Sequence, residues 1–245
     1  MLGDGAYRFS NLIQYRALYE PSWGVPELKA ITHPIPGNHE YLENGSANGY
    51  FDYWNGAGQA SGPAGPRGLG YYSFDVGAWR VIALNSNEDC RHLACGEGSP
   101  QLAWFRAELA KTTGRKCTMV MVHNPRYQNG THRGDTPALA AAWNAAIDAD
   151  VDLVLAAHEH NYQQFAPMDK NGNPDPQKGV RSFVVGTGGG EDFRAIFDTA
   201  QMAAEEKRIV NTSGVLELTL APAAYEWKFH TINGAVGAMG QQACH

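Results

Sequence analysis

Two apolar runs in this chain stop abruptly at histidine. Met119 to Val122 ends at His123, and Val151 to Ala157 ends at the triplet His158-Glu159-His160. Short apolar runs bounded by polar residues read as buried strands, so both runs are expected to lie inside a sheet. Their histidines then fall where strand gives way to loop, which is where α/β folds place their functional groups. Two further polar clusters also follow extended stretches. One is Gly3-Asp4 with Tyr7, and the other is Gly37-Asn38-His39-Glu40 after Pro34-Ile35-Pro36. A fold that joins the four must bring several strand ends together.

The rest of the pattern agrees. Tyr71 to Phe74 and Trp79 to Asn85 flank Val76-Gly77 as a hairpin. Ser99-Pro100 supplies an N-cap and a first-turn proline for a helix through Leu102, Phe105 and Leu109. Thr136-Pro137 starts an Ala-rich helix to about Asp148, and a shorter helix is expected from Asn11 to Tyr19. Ser182 to Val185, Val215 to Leu220 and Tyr225 to Ile232 read as later strands. Strands alternating with helices, followed by adjacent strands, predict a mixed-sheet α/β sandwich in one domain over residues 1–245. Gly (28) and Pro (13) are in excess for a chain of 245 residues, which fits many loops. The formal net charge of −6 argues against a surface that grips nucleic-acid backbones. Phosphate chemistry would therefore need local cations. No apolar run approaches the roughly 20 residues of a membrane-spanning helix.

Asp carboxylate, Asn carbonyl, Tyr phenolate and imidazole form a mixed oxygen and nitrogen set. Such a set suits Fe, Zn or Mn better than Ca or a thiolate site. With donors on separate strands and one carboxylate able to bridge, two metals are expected rather than one.

Taken in order, Gly-Asp-x-x-Tyr, Gly-Asn-His-Glu, a strand-end His with Pro two residues on, and His-x-His resemble the calcineurin-like metallophosphoesterases. Within that family the chain is most similar to the purple acid phosphatase-like branch. The resemblance implies an α/β four-layer α-β-β-α sandwich with two mixed β-sheets. It also implies a metal-dependent phosphoric ester hydrolase acting on small phosphate monoesters through a hydroxide that bridges two metals. By the same resemblance Asp4 bridges the metals, Asn38, His123 and His158 complete the second site, and Tyr7 and His160 bind the first. Tyr7 at that spacing implies Fe(III), paired with Zn, Mn or Fe(II). His39 and His132 are implied as catalytic and substrate-binding residues, with Asn38 and Arg133 as further substrate contacts. Glu40 is expected to orient its loop.

The chain departs from the family pattern in two places. Ala157 stands where a Gly usually precedes His-x-His. The family's opening Asp-x-Gly motif is not found upstream of Asp4, so the chain is expected to lack an N-terminal strand and, with it, one metal ligand. Cys90 and Cys95 bracket a short polar loop and read as a disulfide, and Cys117 with Cys244 as a possible second. An even cysteine count without a catalytic context favours an oxidising compartment, hence a secreted or periplasmic protein. A phosphodiesterase or nucleotidase of the same fold, and a non-catalytic metal-binding remnant, stay open as alternatives. Sequence does not fix the oligomeric state.

Overall fold

The computed structural model describes residues 1–87, 89–112, 117–130, 136–190 and 202–245. Among the described residues, ten strands form two sheets. The larger has the order β1-β2-β3-β4-β6-β5-β7, and the smaller is β10-β9-β8. In the larger sheet β2 (Trp79–Ala83), β3 (Cys117–Met121), β4 (Leu153–Ala156) and β6 (Val180–Val185) run parallel. Antiparallel pairings extend the sheet on both sides: β1 (Tyr72–Val76) pairs with β2, and β5 (Tyr162–Met168) pairs with β6 and with β7 (Glu205–Ile209). The parallel strands are almost wholly buried, as expected for strands covered on both faces. Their carboxyl ends therefore open together at one end of the sheet.

One face is covered by α4 (Pro100–Ala110) and α5 (Ala140–Asp148), whose Leu102, Phe105, Trp143 and Ala146 pack on Ile82, Val120 and Val154. The other face carries the smaller sheet, β8 (Gly214–Ala221), β9 (Ala224–Thr231) and β10 (Val236–Ala243). There Trp79, Tyr162 and Phe183 meet Tyr225, Trp227 and Phe229 edge to face or stacked. A third cluster lies in the N-terminal third. Tyr15, Tyr19, Tyr41, Tyr50, Phe51, Tyr53 and Trp54 pack around α1 (Leu12–Gln14), its widened continuation Tyr15–Tyr19, and α3 (Asn48–Trp54).

The layered α/β architecture with two stacked sheets is the expected one. One detail differs from the implied plan: the smaller sheet is antiparallel throughout rather than mixed. The predicted hairpin, the Ser99 cap and the helix to Asp148 all form, with Ser99 Oγ accepting from Leu102 N at 3.1 Å. The disulfides Cys90–Cys95 and Cys117–Cys244 also form, with Cα separations of 5.3 and 5.5 Å. No helix among the described residues is long and apolar enough to cross a membrane.

Glu108 ties α4 to the edge hairpin. Its buried carboxylate accepts from Ser73 Oγ, Arg80 and Lys111. Burial pushes its pKa up, but these three donors outweigh burial and bring it from the ordinary 4.5 down to about 2. A depressed folded-state pKa contributes stability above the unfolded value and loses it as pH falls through the folded one. In urea unfolding, the stability gap between wild type and Glu108→Gln should therefore be full above pH 4.5 and shrink steadily towards pH 2.

Candidate metal centre

The parallel strands deliver three of the side chains. His123 lies two residues beyond β3, and His158 and His160 lie just beyond β4. The other donors come from loops on the aromatic N-terminal cluster: Asp4 and Tyr7 from one, Asn38 from the next. A parallel bridge between Leu2 and Ile35 holds these two loops side by side.

Six of the sequence-derived residues converge, and they do so as two groups. Asn38 Oδ1 lies 3.0 Å from both His123 Nε2 and His158 Nδ1, and the two ring nitrogens are 3.3 Å apart. On the other side Tyr7 Oη lies 3.0 Å from His160 Nε2. Asp4 Oδ2 stands between the groups, 3.2 Å from His123 Nε2 and 3.4 Å from Tyr7 Oη. Asp4, His123 and His158 present their donor atoms within 4.8 Å of one another. His123 donates its Nδ1 proton to the Leu2 carbonyl at 2.7 Å, which turns Nε2 and its lone pair inward. Several lone pairs facing one another at such distances fit a cation at their centre.

The electrostatics agree. Burial pushes the Asp4 pKa up, but the neighbouring His123 and the N–H of His39 overcome it and hold the carboxyl well below its usual range. Burial likewise works against a charged His123, and the Asp4 carboxylate reverses this, so its pKa is raised. The field that holds a proton on His123 favours a metal cation at the same point.

His39 does not join the donor groups. Its Nδ1 donates to the Arg8 carbonyl at 2.7 Å, its ring packs on Tyr7, and its Nε2 stays 4.0 Å from Asp4 Oδ2. A half-buried imidazole fixed at one nitrogen and open at the other can carry a proton. His132 and Arg133 lie outside the described residues.

Backbone geometry makes the convergence possible. Asp4 and His158 both adopt left-handed φ, 52° and 66°, conformations that non-glycine residues seldom hold without cause. At Gly37, an added Cβ would stand 2.3 Å from Asp4 Oδ1 and 2.7 Å from His123 Cε1. The strand-end run Gly186-Thr187-Gly188-Gly189-Gly190 escaped the sequence reading. It forms a wall of the site, where a Cβ on Gly190 would come within 3.0 Å of Tyr7 Oη. The signal was a glycine run straight after an apolar strand.

The sequence matches the family of calcineurin-like phosphoesterases over residues 3–162. It is similar to purple acid phosphatase 21 of Arabidopsis thaliana, 32% identical over 130 residues, covering 51% of this chain and 28% of the relative. Purple acid phosphatase 22 of the same plant is 33% identical over 133 residues, with the same two coverages. An uncharacterized protein of Mycobacterium tuberculosis is 26% identical over 182 residues, covering 67% of this chain and 34% of that one. The chain thus spans about a third of these relatives or less. Among solved structures, a purple acid phosphatase from yellow lupin seeds superposes with a TM-score of 0.62 at 18% identity, covering 72% of this chain and 33% of that one. GAP50, the anchor in the inner membrane complex of Plasmodium, superposes at 0.67 and 15% identity, covering 98% and 77%. At these identities the structural likeness shows the fold.

The close approach at Gly37 has a direct test. Gly37→Ala should keep the fold by circular dichroism yet weaken zinc uptake by about 10- to 100-fold in a chelator-competition titration, the range found when groups that orient metal ligands are disturbed.

Proposed function

Because the chain belongs to the calcineurin-like phosphoesterase family, we propose that its convergent cluster holds two metal ions and hydrolyses phosphate monoesters. The observation that carries this reading is the position of Asp4 Oδ2 between two separate donor groups, 3.2 Å from His123 and 3.4 Å from Tyr7. Asp4, Asn38, His123 and His158 would hold one ion, and Asp4, Tyr7 and His160 the other. When bound, the pair would neutralise phosphate oxygens and lower the pKa of water far enough to supply hydroxide near neutral pH.

The chain's own residues supply the remainder. Asn38, with its carboxamide at the centre of one group, orients the phosphate beside that ion. His39, held through Nδ1 on the Arg8 carbonyl, presents Nε2 to the leaving oxygen and protonates it. His132 and Arg133 are proposed as phosphate contacts from the loop that follows His123. The phenol of Tyr7 favours Fe(III) at its ion, with Zn, Mn or Fe(II) at the other. Two disulfides support an extracellular or periplasmic location.

A second reading follows from the uneven donor sets. Among the described residues the Tyr7 side offers three protein donors and the His123 side four, so a chain that retains only one metal and no turnover is the remnant alternative. Metal analysis separates the two readings: two metals per chain with hydrolysis of an aryl phosphate supports the enzyme, and one or none without turnover supports the remnant. Asp4→Asn should lower the metal count and abolish hydrolysis, and unchanged activity would remove the bridging role. His39→Ala should retain the metals and lose about 10²- to 10⁴-fold in kcat on an ester with a poor leaving group. In the iron form, Tyr7→Phe should remove a visible charge-transfer band.

A further inference from the structure

Glu40 follows His39 in the turn His39–Tyr41 and is 3% exposed, and its carboxylate is held by backbone amides and Tyr15 rather than by a metal donor's side chain. A carboxylate buried this deeply is costly unless its lone pairs are met. Four donors meet them. Oε2 accepts from the backbone N–H of Gly37 at 2.6 Å and of Asp4 at 2.9 Å. Oε1 accepts from the backbone N–H of Gly5 at 2.9 Å and from Tyr15 Oη at 2.7 Å.

These partners belong to both ligand loops. Gly37 precedes Asn38, while Asp4 and Gly5 form the turn in which Asp4 has its left-handed φ. The link is also reciprocal. While Glu40 holds the backbone of Asp4, the backbone N–H of the adjacent His39 holds the side chain of Asp4 through Oδ1 at 2.9 Å. One short turn therefore grips Asp4 at both ends and leaves Oδ2 facing His123 and Tyr7.

We infer that Glu40 is the positioning residue that sets the bridging carboxylate of Asp4 against Asn38 before any metal arrives, an inference that rests on the two-metal reading above. It touches neither metal nor substrate. It acts through the backbone amides of two loops that no strand pairing beyond the single Leu2 to Ile35 bridge connects, and its negative charge, buried behind the donors, further favours cations there. Glutamine cannot replace it: one amide oxygen retains two acceptor directions, and the NH₂ group then faces at least one backbone N–H donor in either orientation. Aspartate keeps the charge and is too short to reach both loops from residue 40.

The test is zinc titration of the whole chain by chelator competition, with thermal unfolding measured in parallel. Glu40→Gln and Glu40→Asp should each weaken zinc binding by about 10- to 100-fold, the range for groups that orient metal ligands. The two sites should weaken together, because both use Asp4. Excess zinc should restore a large part of kcat. Trp143→Phe, which removes a bond from the buried Trp143 Nε1 to the Asp169 carbonyl on the helical face, is the stability control and should lower the unfolding temperature without changing zinc affinity. A folded Glu40→Gln or Glu40→Asp chain with wild-type zinc affinity overturns the inference. So does a loss of affinity in Trp143→Phe equal to theirs, since it would make the effect one of general stability. Wild-type chain that takes up no zinc overturns the two-metal reading and this inference with it.

Discussion

The arrangement depends on one buried carboxylate. Asp4 must stay ionised in a place where burial raises its pKa, and the imidazole and N–H groups aimed at it outweigh that and hold it below its usual range. Its two oxygens have different tasks. Oδ1 is fixed by the His39 N–H, and Oδ2 lies 3.2 Å from His123 Nε2 and 3.4 Å from Tyr7 Oη, between the two donor groups. A site that gathers a carboxylate, a carboxamide oxygen and imidazole nitrogens so closely suits positive charge at its centre. The left-handed backbones at Asp4 and His158, and the glycine at 37, are local costs that the convergence requires.

Sheet topology explains why the histidines arrive together. Parallel pairing of β3 with β4, and of β4 with β6, puts three carboxyl ends side by side, so His123, the His158-Glu159-His160 triplet and the Gly186 to Gly190 wall share one rim. The two apolar cores on opposite faces hold those strands rigidly. Rigid strand ends make ligand positions reproducible, whereas Asp4, Tyr7 and Asn38 lie on irregular loops and need their own bracing.

That division also decides what was legible in the sequence. His123 and His158 could be read because each terminates an apolar run, and α4 because Ser99-Pro100 caps it. The strands that were not read share a reason. β5 carries Gln163, Gln164 and Pro167, β7 is Glu205-Glu206-Lys207-Arg208-Ile209, and β10 is broken by Gly237 and Gly240. Each is extended because a neighbour supplies its hydrogen bonds and packing, not because its own pattern demands it. The bond from Tyr15 to Glu40 crosses 25 positions, and no spacing rule reaches that far. The site's residue types and a loop-orienting role for Glu40 were thus readable, and the partners through which Glu40 acts were not.

The aromatic character of the N-terminal third has its explanation in the same bracing problem. Loops that present ligands have few ladder hydrogen bonds, yet buried carbonyls still need donors. Long phenols supply them. Tyr50 and Tyr72 both donate to the Pro34 carbonyl, at the start of the Asn38 loop, and Tyr15 donates to Glu40. Tyr41 accepts from Asn85, linking the same turn to the end of β2. Burial pushes Tyr41 up to about 12 and raises Tyr15, Tyr50 and Tyr72 as well, so all four stay protonated across the physiological range. A phenol unites a rigid apolar ring that fills the core with a hydroxyl that reaches a loop backbone. Leucine or phenylalanine would fill the same space and remove these donors from the Pro34 carbonyl and the Glu40 carboxylate. The tyrosines therefore do for the loops what strand pairing does for His123 and His158.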